Sequence, residues 1–138
     1  MGLKYEYTPR LGAQGVEYDP LVDVVFTNPK TGKHVEIRSL IDSGAASIIV
    51  SGQFAEPLGI KIVAGRAVKF QGIAYDPVIA YEHQLSMRLK HDTHEYLVPC
   101  FLMSGLRTSA LLGQRGFFEN YKVVFEQYKK RIELTPIS

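Results

Sequence analysis

The segment SLIDSGAASIIVS, residues 39–51, sets one acid, Asp42, on a turn of small residues between two apolar runs. Leu40 and Ile41 read as the end of a buried strand, Ser43-Gly44-Ala45 as a turn with little side-chain bulk, and Ile48, Ile49 and Val50 as the next strand. A carboxylate in such a place is costly unless it is hydrogen-bonded, paired with a cation or neutralised by a proton. The commonest role of Asp before Ser-Gly is structural, bonding the amides of its own turn. A chemical role needs a second feature elsewhere in the chain.

Working outward, apolar residues alternate or cluster in short runs between turn formers, the pattern of a mainly β protein. Leu21 to Phe26 reads as a strand, NPKTG at 28–32 as a loop, and Val35, Ile37, Ser39 and Ile41 as one face of a return strand that delivers Asp42 at its far end. Beyond Val50, SGQFAEPLGI predicts a short helical turn capped by Ser51, with strands resuming at Ile60. Leu85, Met87 and Leu89 alternate in a long hairpin strand, and Tyr96 to Leu102 forms another after the HDTH loop at 91–94. Near the C-terminus, Gly113 precedes a short helix in which Phe117, Phe118 and Tyr121 fall at helical spacing. A closing hairpin follows, turning at residues 127–130. Residues 1–20 read as an N-terminal arm and 21–138 as one domain.

The 138 residues are one domain's length, enough to bury roughly two-thirds of the unfolded surface without staples. With 46% hydrophobic and 22% charged residues the chain is of ordinary globular composition, and a net charge of +2 gives no ground for a nucleic-acid partner. No apolar stretch approaches the ~20 residues of a membrane-spanning helix, and the first residues lack the apolar core of a signal peptide. Met1-Gly2 is followed by Glu6 where N-myristoylation wants Ser or Thr. A cytoplasmic location is expected, and the single Cys100 fits a reducing compartment.

The second feature lies some seventy residues after the acid: Leu111-Leu112-Gly113, followed by the short helix and YKVVF. Together with Leu40-Ile41-Asp42-Ser43-Gly44-Ala45 it resembles the retropepsin-like aspartic protease family, over roughly residues 20–134. The resemblance implies a closed acid-protease β-barrel with one short C-terminal helix. Asp42 takes the catalytic position, and Ser43, Gly44, Ala45, Leu112 and Gly113 support its loop. The family's flap is placed at Gln71-Gly72-Ile73-Ala74, making Gly72, Ile73 and Ala74 candidates to bind substrate beside Ile48–Val50.

The chain carries a single Asp-Ser/Thr-Gly tripeptide, whereas the family's chemistry needs two carboxyls in one site. The resemblance therefore implies a homodimer in which two copies of Asp42 share one proton, because like charges so close cannot both ionise. One carboxylate activates a water and the other, protonated, donates to the scissile carbonyl of a peptide or protein substrate. No metal or cofactor, nucleic acid or membrane enters this scheme. Two departures from the family pattern are visible. Ser43 stands for the commoner Thr, and Gln114-Arg115 stands where relatives carry Arg directly after the Gly, so a supporting ion pair is missing or moved to Arg115. The competing reading is a non-catalytic peptide- or partner-binding module on the same fold.

Other residues read as structural. Cys100, in an apolar strand after Pro99, is a buried small hydrophobe. His91, Asp92, His94 and Glu95 lie on a loop whose spacing does not hold two imidazoles on one face, so they read as a solvated hairpin tip. His34 and His83 read as surface residues, and Lys129-Lys130-Arg131 as a solvated turn. Ser43 and Ser47 lack the Gly-x-Ser-x-Gly setting of a serine hydrolase.

Overall fold

The computed structural model describes residues 2–71 and 76–137. In chain order the strands are β1 (Leu3–Glu6), β2 (Thr8–Gly12), β3 (Gly15–Asp19), β4 (Leu21–Thr27), β5 (His34–Ile41), β6 (Ile48–Ser51), β7 (Arg66–Phe70), β8 (Val78–Leu89), β9 (Tyr96–Met103), β10 (Ala110–Leu112), β11 (Tyr121–Glu126) and β12 (Arg131–Pro136). Six of them close a barrel in the order β4-β5-β10-β6-β9-β8, because β8 pairs back onto β4 from Val24↔Leu89 to Thr27↔Ser86. The protein is mainly β, with the closed barrel that was expected.

Period-two alternation fills the barrel. Val22, Val24 and Phe26 of β4, Ile37, Ser39 and Ile41 of β5, and Leu85, Met87 and Leu89 of β8 all point inward and are buried. Each large apolar side chain so buried contributes about 1.5–3 kcal/mol relative to exposure. The one buried hydroxyl of β5, on Ser39, donates to the Ile37 carbonyl at 3.0 Å, which removes the cost of an unpaired polar group. Cys100 is fully buried, and burial pushes its thiol far above the ordinary range.

Loops are tied down by side chains. Asn28, opening the NPKTG loop, accepts from the Lys30 N–H at 3.0 Å and donates to the Leu58 carbonyl at 2.9 Å, joining the β4–β5 hairpin to the segment after β6. That segment differs from expectation. Ser51 still belongs to β6, pairing with Met103 of β9 and donating its N–H to Ser109, so its side chain makes no cap on the 3₁₀ turn Gly52–Phe54. Strands resume at Arg66 rather than Ile60, because a second 3₁₀ turn, Ile62–Ala64, intervenes. His83 is half-buried there, its Nε2 2.8 Å from the Ile62 carbonyl, and is no free surface histidine.

Outside the barrel, β1, β12 and β11 form a three-stranded sheet, with Leu3 opposite Leu134 and Val123 opposite Leu134 on the other side. β2 and β3 form a separate two-stranded ribbon. The helical segment expected after Gly113 takes the form of successive turns over 114–120. The reason is local: Gln114 and Arg115 spend their N–H groups on Ala45 and Ala46, and Gly116 has a φ of 95°, which no helix accommodates. Phe117 and Tyr121 are nonetheless buried and stacked at 5.2 Å between centroids, holding the turns against the core as the spacing implied.

Candidate active site

β5 ends at Ile41 between two neighbours. On one side β4 runs antiparallel, with Leu21 opposite Leu40; on the other β10 runs parallel, with Leu111 beside Leu40 and Leu112 beside Ile41. The next residue, Asp42, donates its N–H to the Leu112 carbonyl at 3.0 Å, so the acid leaves the sheet still tied to the Leu-Leu-Gly strand. Two hydrogen bonds then close the turn: Gly44 N–H to Asp42 Oδ1 at 2.9 Å and Ala45 N–H to the Asp42 carbonyl at 3.1 Å. Asp42 as a residue is half-buried, while Ser43 and Gly44 are exposed.

The segment 113–115 runs along 45–47 and fixes it. Gln114 N–H donates to Ala45 and Arg115 N–H to Ala46, each at 2.9 Å, and Ser47 bridges to Arg115. Gly113 lies so close that no side chain fits beside it. A fourth tie comes from a side chain, Gln114 Nε2 donating to the Ser43 carbonyl at 2.8 Å. In the sequence Gln114 stands only as a replaced arginine, and its place next to Gly113 is the signal for its role. Arg115 is exposed and has no ion pair among the described residues of its own chain.

The structure therefore brings Asp42, Ser43, Gly44, Ala45, Leu112 and Gly113 together in one small region. The Ser43 hydroxyl makes no hydrogen bond among the described residues of its own chain. Ile48 and Val50 are wholly buried and Ile49 nearly so, which corrects their reading as cleft-lining residues: β6 lies between β10 and β9 inside the barrel wall. The flap candidates Gly72, Ile73 and Ala74 lie outside the described residues.

The 91–94 loop also departs from expectation. The Asp92 side chain is only 8% exposed, accepts from Tyr121 Oη at 2.9 Å, and lies 2.9 Å from His94 Nδ1. Burial raises the Asp92 carboxyl, but the hydrogen bonds from His94, Tyr121 and the Thr93 and His94 amides outweigh it and hold the group below the usual carboxylate range. Burial and the facing Asp92 together push the Tyr121 phenol far upward. This is an internal strut between the β8–β9 loop and the start of β11. Among the described residues no group of three or more His, Cys, Asp or Glu side chains is placed to hold a metal ion.

No protein-family model and no curated protein matches the chain by sequence. Its backbone, however, superposes on a retropepsin-like aspartic protease from Rickettsia conorii with a TM-score of 0.67 at 17% identity, covering 97% of this chain and 98% of that one. It also superposes on the EIAV protease in complex with the inhibitor HBY-793, with a TM-score of 0.50 at 17% identity over 71% of this chain and 84% of that one. An acid turn braced by a parallel Leu-Leu-Gly strand, set in a closed six-stranded barrel, gives this chain the fold of the retropepsin-like aspartic proteases.

Proposed function

We propose that the protein is an aspartic endopeptidase whose site forms when two copies of the chain bring their Asp42 carboxyls together. The observation that carries this reading is the bracing of the acid. Asp42 is half-buried and has no ion pair among the described residues, yet its turn is held by Leu112, Gln114 and the close passage of Gly113. Such rigidity around an unneutralised carboxyl is what a reactive group needs in order to stay in one geometry.

In the dimer one carboxylate takes a proton from a water held between the two groups, and the water oxygen bonds to the scissile carbonyl carbon. The protonated Asp42 of the partner subunit gives its proton to the carbonyl oxygen, producing a neutral gem-diol. Collapse of that intermediate breaks the C–N bond, with a proton passing to the amine nitrogen, and leaves the pair singly protonated as before. The Ser43 hydroxyl, unused within its own chain among the described residues, would bond the neighbouring copy's loop. An extended peptide would lie across the two subunits.

A non-catalytic peptide-binding module is the second reading, favoured by the hydrogen bond from Gly44 N–H to Asp42 Oδ1, which is what a purely structural turn acid makes. The deciding experiment is a peptide-library cleavage assay from acidic to neutral pH, with and without a general aspartic-protease inhibitor, repeated on dilution. Inhibitor-sensitive cleavage whose specific activity falls as the dimer dissociates supports the enzyme. Absence of cleavage from a demonstrated dimer supports the binding module.

A further inference from the structure

The β2–β3 ribbon is two-faced. Its register sets Pro9 opposite Tyr18 and Leu11 opposite Val16, alternating with Thr8 opposite Asp19 and Arg10 opposite Glu17. Residues opposite each other share a face, and the faces alternate along the strands. One face is therefore polar and satisfied within the ribbon, since Arg10 pairs with Asp19 at 2.7 Å and with Glu17 at 2.9 Å. The other is apolar and uncovered: Leu11 is 85% exposed, Val16 60% and Tyr18 41%. At its base, Lys130 Nζ lies 5.2 Å from the Tyr18 ring centroid. A lone two-stranded hairpin is marginal in water, and an apolar face on it is a contact surface in want of an occupant.

Where the ribbon is rooted points to that occupant. The Pro20 carbonyl, just past β3, accepts the Ile41 N–H at 3.0 Å, one residue before Asp42, and Thr8 at the start of β2 is held by the Arg38 guanidinium of β5. Any two-fold axis that brings two Asp42 carboxyls together must then pass close to the ribbon's root. Five residues at ~3.3 Å each carry the arm about 16 Å from that root, far enough to cross the axis.

We propose that this ribbon is a dimer arm whose apolar face, formed by Pro9, Leu11, Val16 and Tyr18, packs on the second copy of the chain. The inference rests on the dimeric reading of the site and adds to it the surface that holds the dimer. Two-fold symmetry makes the contact twice, so each assembly covers both apolar faces.

The test compares the wild-type chain with Leu11→Ser/Val16→Ser by sedimentation velocity over a concentration series, with peptide cleavage and thermal melting measured alongside. Both side chains are exposed in the single chain, so melting at concentrations where both proteins are monomeric should not change. The dimer dissociation constant is expected to rise about tenfold or more. Val16→Thr, which keeps the β-branched shape, should shift it in the same direction even where the double variant folds poorly. A wild-type dimer whose dissociation constant is unmoved by either variant overturns the arm and leaves the dimeric enzyme standing. Unmoved dimerisation with lost cleavage also overturns it, by giving the face to substrate. A wild-type chain that stays monomeric at every concentration overturns the arm and the dimeric reading together.

Discussion

Gly113 sits against the backbone of Ser47: a Cβ built on Gly113 would lie 2.2 Å from the Ser47 carbonyl oxygen, and 2.6 Å from that of Ala45. Both neighbours are main chain and cannot swing aside. Contact this close is how the Leu-Leu-Gly strand braces the acid turn, and it makes glycine a steric requirement at this position. Gly113→Ala should therefore push residues 45–47 away from β10, at a cost of about 1–3 kcal/mol for overpacking. The expected outcome is a lowered urea midpoint together with loss of any peptide cleavage. A variant as stable and as active as the parent would show that the two segments separate freely.

Asp42→Asn tests the acid itself. The amide keeps an oxygen in the position of Oδ1, so the Gly44 N–H retains its acceptor and the turn should persist. Stability is expected to change by no more than about 0.5 kcal/mol, the range of substitutions that leave packing and hydrogen bonds in place. Cleavage needs a group that can both lose and regain a proton, which an amide cannot do, so it should vanish. Cleavage that survives in a folded Asp42→Asn protein would remove Asp42 from the chemistry.

A third expectation concerns acid stability. Asp92 is held below the usual carboxylate range by His94, Tyr121 and two backbone amides, against the opposing effect of burial. A carboxyl whose folded-state pKa lies below its unfolded value stabilises the protein fully above the ordinary value of about 3.9, and that contribution disappears as pH falls through the lower, folded-state value. Urea unfolding of the wild type and Asp92→Asn should thus differ most near neutrality, and the gap should narrow steadily below about pH 4. Parallel curves from pH 7 to pH 2 would mean that the strut contributes nothing that depends on its charge.

What could be read from the chain, and what could not, divides by the range of the interactions. β4, β5, β8 and β9 follow from alternation that repeats within a few residues, and the β11–β12 hairpin from its turn. Asp42 and Gly113 stood out because close approach and small size restrict residue type so severely. The Asp92 strut was hidden, since its partner Tyr121 is 29 residues away and a polar HDTH run carries no sign of burial. A closed barrel follows from the resemblance, but the register by which β4 meets β8 and the pairing of Leu3 with Leu134 were hidden for the same reason. The missing helix at 114–120 is the opposite case: its aromatic spacing was legible, but tertiary hydrogen bonds at Gln114 and Arg115 overrode it.

Gln114 offers a sharper test of how the turn is held. Its Nε2 donates to the Ser43 carbonyl at 2.8 Å, an uncharged clamp beside the acid. Gln114→Ala leaves that exposed carbonyl to water, so the stability cost should be only about 0.5–1 kcal/mol. Loosening the turn should instead appear in kcat, falling roughly tenfold or more, with KM changed less, because misplacement of the acid affects the reacting geometry before it affects peptide binding. Gln114→Glu separates the clamp from mere bulk. A protonated carboxyl can still donate to the Ser43 carbonyl, whereas the carboxylate repels it. The variant should therefore work at low pH and lose activity as pH rises through the ordinary Glu range near about 4.3, a loss that adds to the decline the wild type shows when its dyad gives up the shared proton. pH–rate profiles of the three proteins decide the matter. If Gln114→Glu follows the wild type across that range, the Gln114 hydrogen bond does not position Asp42.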